Sequence, residues 1–412
     1  MKFQQAWSFL FLTFSFKVHA QAVITYKEVA PIISQKCLSC HGAIPMGAPF
    51  SLDTYEALMS HAEAVRTSVQ TRNMPPFAVD NTGACGTYGN ITSLSDKEIQ
   101  VISDWVTTGK KPGTPDNLPP PQLSNRLEHV DATPMMMEPY TPGNMDEYRC
   151  FVLNPVTTTD RFISGYNVIP GNPDVVHHVI LYIPTERGQR LAEQLDAQDP
   201  KPGYSCFGSA LTEAAPVVAS ALGTSATLFP QNTGIKIPAN RKVILQVHYG
   251  HSHQVTQKSS AGPDQTKVQL QLETSVNKEA EIVLPGQIRN FTIPPKQERY
   301  PFIKSWAVAN SGALFRPFDL YGVLPHMHMY GKDIRFSVTR ARTTANSCLM
   351  DVPRWNFNRQ HLYFYQTPIS INDGDEIKIT CAYNTMRSSV PIPFGDSSSE
   401  EMCLVGLYLV WK

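Results

Sequence analysis

Five prolines fall between residues 112 and 121, in Lys110-Lys111-Pro112-Gly113-Thr114-Pro115 and Pro119-Pro120-Pro121, and neither a helix nor a sheet ladder runs through such a stretch. It divides the 412-residue chain into two parts with different patterning. Residues 21–110 are helix-like and hold two of the eight Cys in one short motif. From about 125 onward, β-branched and aromatic runs alternate with turn signals: Val175–Ile183, Lys242–Tyr249, Lys267–Glu273, Ile334–Val338, Glu376–Tyr383 and Cys403–Trp411. This spacing predicts antiparallel β-sandwiches, and the length suggests two in tandem. No internal repeat is visible.

With 35 Lys+Arg against 35 Asp+Glu, bulk charge selects neither nucleic acid nor an anionic membrane as partner. The 24 Gly and 33 Pro are too few for a disordered low-complexity chain. Met1-Lys2, the apolar run Ala6 to Phe16 and Val18-His19-Ala20 before Gln21 read as a secretory signal peptide over 1–20. No later window reaches the length of a transmembrane helix, and no Cys near Ala20 offers a lipid anchor. The expected product is soluble and secreted or periplasmic, a compartment where cysteines pair.

Cys37-Leu38-Ser39-Cys40-His41 does not fit that rule. It is the c-type haem attachment motif, in which two thiols each add to a haem vinyl group and the next His ligates iron. The alternatives are a chance disulfide or a zinc half-site, but Cys85 has no partner at zinc-ribbon spacing. Met74, in Arg72-Asn73-Met74-Pro75-Pro76, is the expected sixth ligand, with Met46 and Met59 as rivals. A His/Met pair raises the iron potential and suits electron transfer. Ser95-Asp96-Lys97-Glu98 is a capping box opening a helix that places Ile99, Ile102, Trp105 and Val106 on one face and ends at Gly109. Through these three features the segment resembles a small class I cytochrome c domain.

Five of the 12 His lie in apolar strand contexts: Val176-His177-His178-Val179, Gln246-Val247-His248-Tyr249 and Leu324-Pro325-His326-Met327-His328. So many buried imidazoles are hard to satisfy as ordinary core residues. His326 and His328, two apart, point to one face of a strand and can chelate one ion. His177 and His178 are adjacent and point to opposite faces, so joint ligation requires a distorted backbone. Met402, in Glu400-Glu401-Met402-Cys403, offers a soft thioether that favours Cu(I).

Together with Cys381 and Cys403, these residues resemble the copper type II, ascorbate-dependent monooxygenases, the family of peptidylglycine α-hydroxylating monooxygenase and dopamine β-monooxygenase. The resemblance covers roughly residues 130–412. It implies two jelly rolls, 126–280 and 281–412, each holding one copper, joined through a 111–125 linker to the 21–110 haem domain. The implied fold class is a small all-α cytochrome c domain followed by two tandem all-β jelly-roll sandwiches. His177, His178 and His248 would hold an electron-transfer copper. His326, His328 and Met402 would hold the copper where dioxygen is activated and a C–H bond hydroxylated, the two coppers lying across a solvent-filled gap. A Cys381–Cys403 disulfide is likewise implied, and Cys150–Cys206 is expected beside it; Cys85 and Cys348 are left either paired across domains or free. Leu324, Leu404 and Gly406 stand where peptide hydroxylases carry Arg, Asn and Tyr, so a peptide ending in Gly is not the expected substrate. His251 and His253 lie beyond the match and are read as surface residues.

The expected cofactors are therefore one covalent haem c and two coppers. The expected partners are dioxygen, an unidentified small organic substrate and an external electron donor, ascorbate-like or a redox protein, with the cytochrome relaying electrons. A non-catalytic haem and copper electron-transfer or copper-binding protein is the rival, and a loop-based binding module is a third reading.

Overall fold

The computed structural model describes residues 23–412 apart from 43–47, 49, 77–78, 92, 114–125, 144–145, 212, 222–225, 251–261, 285–290, 313, 344 and 358–359. The signal peptide, Met46, most of the linker, His251 and His253 lie outside the described residues.

Near the N-terminus, helices Tyr26–Lys36, Leu38–His41, Tyr55–Gln70 and Asp96–Thr107 form around Ile33, Leu58, Ile102 and Trp105, all at most 1% exposed. The last helix opens as its sequence demands: Ser95 Oγ accepts from the Glu98 N–H, and Glu98 Oε2 accepts from the Ser95 N–H at 2.7 Å. Gly109, at φ +99°, follows its end. Among the described residues no helix is long and apolar enough to cross a membrane.

Residues 79–91 leave this helical cluster. Val79 and Tyr88 are buried in the core of the C-terminal strands, Tyr88 donates to the Leu349 carbonyl at 2.9 Å, and Cys85 is disulfide-bonded to Cys348. That bond closes a separation of 263 residues, so Cys85→Ser with Cys348→Ser should lower unfolding free energy by about 2–5 kcal/mol. The checking measurement is the urea midpoint of the double variant against the oxidised parent.

Among the described residues the strands form small sheets of five, five, four, two and four strands. One five-stranded sheet runs Tyr204–Ser205, Asp146–Leu153, Val243–Gly250, Val176–Pro184, Ala214–Ala221. The other centres on Arg161–Ile169, flanked by Thr233–Ile237 and Lys267–Glu273. The four-stranded sheets run Glu281–Val283, Leu404–Trp411, Phe318–His326, Tyr363–Ile371, and Tyr300–Ala307, Glu376–Tyr383, Gly331–Thr339, Asn346–Val352. The expected series of an all-α cytochrome domain and two tandem jelly rolls is not this architecture. The described chain is mainly β in small sheets with five short helices.

The physical reason lies in the Leu404–Trp411 sheet. Val405, Leu407 and Leu409 face the C-terminal core, while Tyr408 on the opposite face packs into the core of the earlier strands. Its neighbours repeat the division: Leu320 against Tyr321, and Tyr363 against Phe364. A strand apolar on both faces has to be covered on both. This sheet is therefore a wall shared by two cores, and it carries His326 at one end of a strand.

Candidate metal centre

His177 and His178 leave regular pairing where the Val176–Pro184 strand shifts register against Val243–Gly250, between Val176 and His178. The irregularity supplies the backbone distortion that adjacent histidines need to share a ligand site. His178 Nδ1 lies 3.3 Å from His177 Nδ1 and 3.2 Å from His248 Nδ1, and one ligand atom from each ring falls within 4.8 Å of the others. His248 Nε2–H donates to Asp146 Oδ1 at 2.6 Å, which leaves Nδ1 as the lone-pair nitrogen facing His178. Tyr148 stacks flat on the His248 ring, centroids 4.0 Å apart. Burial would raise the Asp146 carboxyl, yet the His248 ring and the Ser398 N–H hold it well below the usual carboxylate range. Its other oxygen accepts from Ser397 Oγ, Ser398 N and Ser398 Oγ at 2.9–3.1 Å, tying His248 to the loop that leads into Met402.

His326 and His328 form a second pair, with Nε2 atoms 3.2 Å apart. Gln360 Oε1 accepts from His326 Nδ1 at 2.5 Å, and the Glu400 carbonyl accepts from His328 Nδ1 at 3.2 Å. Both δ nitrogens are thus donors, and two ε lone pairs face each other, an arrangement that a cation relieves. Burial pushes His328 down to about 3 and holds His178 and His326 below the ordinary imidazole range. Neutral imidazoles are the ligand form. Glu401, fully buried, accepts from the N–H groups of His328, Tyr330 and Met402.

His326, His328 and Met402 line one cavity with His178. Phe357 stacks on His177 with centroids 4.6 Å apart and stands 6.0 Å from His328, so one ring touches both histidine groups. The donor set of imidazoles and one thioether suits copper in both oxidation states.

Cys37, Cys40, His41 and Met74 line a different, mainly apolar cavity with Val65 and Val69. Cys37 and Cys40 are not disulfide-bonded, while the other six cysteines pair as Cys85–Cys348, Cys150–Cys206 and Cys381–Cys403. Such pairing fits an oxidising compartment. His41 Nδ1 donates to the Phe50 carbonyl at 2.8 Å, leaving Nε2 as the ligand-type nitrogen. Met59 is 42% exposed on the Tyr55–Gln70 helix and does not line this cavity. Two thiols, an oriented imidazole and a thioether around an apolar space fit a haem c.

The supporting residues Asp146, Phe357 and Gln360 carried no recognisable signal in the sequence, because each acts through a fold contact, and Glu401 stood out only as part of the Glu401-Met402-Cys403 run. Asp146→Asn is expected to weaken copper at the three-histidine group by about 10- to 100-fold, the usual cost of losing a carboxylate behind a ligating imidazole. Competitive copper titration checks this.

Residues 278–411 match the family model of the copper type II ascorbate-dependent monooxygenase, C-terminal domain. DBH-like monooxygenase protein 2 of Mus musculus is 26% identical, covering 64% of this chain and 43% of its own. Tyramine beta-hydroxylase of Caenorhabditis briggsae is 21% identical, covering 58% and 40% respectively. The chain spans about half the length of the curated relatives it matches, or less. The infectious bursal disease virus VP2 subviral particle overlaps only at a TM-score of 0.18, which carries no argument. The family and relatives support a copper monooxygenase; they contain no support for the haem.

Proposed function

We propose that this chain is an exported copper and haem monooxygenase that hydroxylates a C–H bond of a small, largely apolar organic molecule. Dioxygen is the co-substrate, and electrons come from an external donor, ascorbate-like or a redox protein. The observation that carries the proposal is the pair of facing Nε2 atoms of His326 and His328, 3.2 Å apart on a cavity that Met402 also lines. Copper at His326, His328 and Met402 and at His177, His178 and His248 would supply one-electron chemistry and dioxygen activation, and a haem on Cys37, Cys40, His41 and Met74 would supply an electron relay.

The protein's own groups do the rest. Gln360, Glu400 and Asp146 fix which ring nitrogen each histidine presents. Tyr148 and Phe357 hold ring planes by stacking. Leu284, Leu324, Leu404 and Ile180 give the cavity an apolar wall, and no Lys or Arg is among its described lining residues. That lining favours a substrate with no carboxylate to anchor and rejects peptides held by their C-terminus. The haem-type site belongs to the 21–110 segment, the three-histidine group to 126–280 and the His/His/Met group to 281–412.

Copper-to-haem ratio and substrate-dependent oxygen uptake of the full chain test the proposal. Two coppers per haem, with oxygen uptake that requires an added apolar substrate, are expected. Two coppers per haem with no uptake across a substrate screen would favour the non-catalytic electron-transfer reading. One copper or none would overturn the oxygenase.

A further inference from the structure

The turn after the Asn346–Val352 strand touches both the loop leading into Met74 and the histidine groups. Arg354 donates from Nη1 to the Thr71 carbonyl at 3.0 Å and to Asn73 Oδ1 at 3.2 Å, and from Nη2 to the Arg72 carbonyl at 2.8 Å. These three residues immediately precede Met74. The next residue, Trp355, donates its indole N–H to the His328 carbonyl at 3.1 Å, and its backbone N–H bonds Lys332 O at 2.9 Å. A Cβ on Gly331 would stand 2.5 Å from Trp355 Cδ1, so the indole lies flush on a position that only glycine leaves open. Two residues on, Phe357 reaches His177 and His328.

We infer that Arg354 and Trp355 form the bridge between the haem site and the copper pair, and that the electron enters at His328 rather than at the three-histidine group. The inference rests on the proposed function above. In the step these residues would serve, a haem held by Cys37, Cys40, His41 and Met74 would give up one electron, ferrous to ferric, and a copper held by His326, His328 and Met402 would take it up, cupric to cuprous. No bond is made or broken and no proton moves; the external donor then restores the ferrous haem. Arg354 and Trp355 are positioning residues: the guanidinium fixes the Met74 loop by three bonds, and the indole fixes the His328 backbone. Entry through Phe357 and His177 is the competing route, since that ring faces both groups.

The test uses the full chain loaded with Cu(II), its haem reduced chemically without oxygen, and follows haem reoxidation optically. Trp355→Phe keeps an aromatic ring but removes the N–H donor; reoxidation should slow at least about tenfold with haem spectrum, midpoint potential and copper content unchanged. Gly331→Ala, which displaces the indole, should reproduce the loss. In the metal-free chain, Arg354→Ala should speed amide exchange at Asn73 and Met74, a readout independent of any loaded site. Slowing in Phe357→Leu but not in Trp355→Phe would overturn the inference and place entry at His177. Unchanged rates in both variants would overturn it while leaving the proposed function standing; a wild-type haem that copper does not reoxidise would overturn it together with the haem-relay part of that function. A wild-type chain that binds no haem or no copper would overturn that reading, and the bridge with it.

Discussion

Met402→Ile is expected to abolish substrate-dependent oxygen uptake, by about a hundredfold or more, while leaving haem absorbance and copper at the three histidines unchanged. The side chain is 5% exposed, and isoleucine nearly matches its volume, so the fold loses under about 1.5 kcal/mol. The adjoining Cys403–Cys381 disulfide and the Leu404–Trp411 strand stay as anchors. What disappears is the thioether, the one soft donor among the described residues that line the cavity beside His326 and His328. X-ray absorption on the reduced copper should show a sulfur neighbour in the parent and none in the variant. Retained turnover would remove Met402 from the chemistry, and a sulfur neighbour persisting in Met402→Ile would assign it to another residue.

The local chemistry was more legible in the sequence than the architecture. The Ser95 capping box and the apolar face of its helix are short-range patterns, and they fold as short-range physics dictates. The grouping of His177 and His178 with His248 was harder to see. Alternation along a strand separates adjacent residues, and only the register shift between Val176 and His178 brings them together. The layout of the sheets was not legible at all. Tyr408 reads as one more apolar residue in a hydrophobic strand, and nothing local says that it faces a different core from Leu407 and Leu409. The same limit hid the 79–91 segment, whose Tyr88 and Cys85 join residues more than 250 positions away. Long-range pairing is a property of the folded chain, and the residues that act through it, Asp146, Arg354 and Gln360, look like ordinary surface polars in the sequence.

Glu401 ties the two ends of the His/His/Met group together, and its removal should be costly even with no metal bound. Its carboxyl oxygens accept from His328 N at 2.9 Å, Tyr330 N at 2.6 Å and Met402 N at 3.2 Å, and the residue is fully buried. Glu401→Ala orphans these donors at about 1–3 kcal/mol each, so the urea midpoint should fall by the equivalent of several kcal/mol. Glu401→Gln preserves the shape and isolates the charge. Burial pushes the Glu401 carboxyl up to about 8, against the pull of the backbone N–H groups. The unfolded chain titrates near the ordinary value of 4.5. Between these limits the folded state holds more protons than the unfolded state, so stability from this group is full below about pH 4.5 and falls as pH rises toward 8. The metal-free parent should therefore lose urea resistance across that window, and Glu401→Gln should remove that part of the slope. A parent and a Gln variant with parallel profiles would mean that the carboxylate is already ionised in the fold, with its N–H donors outweighing burial.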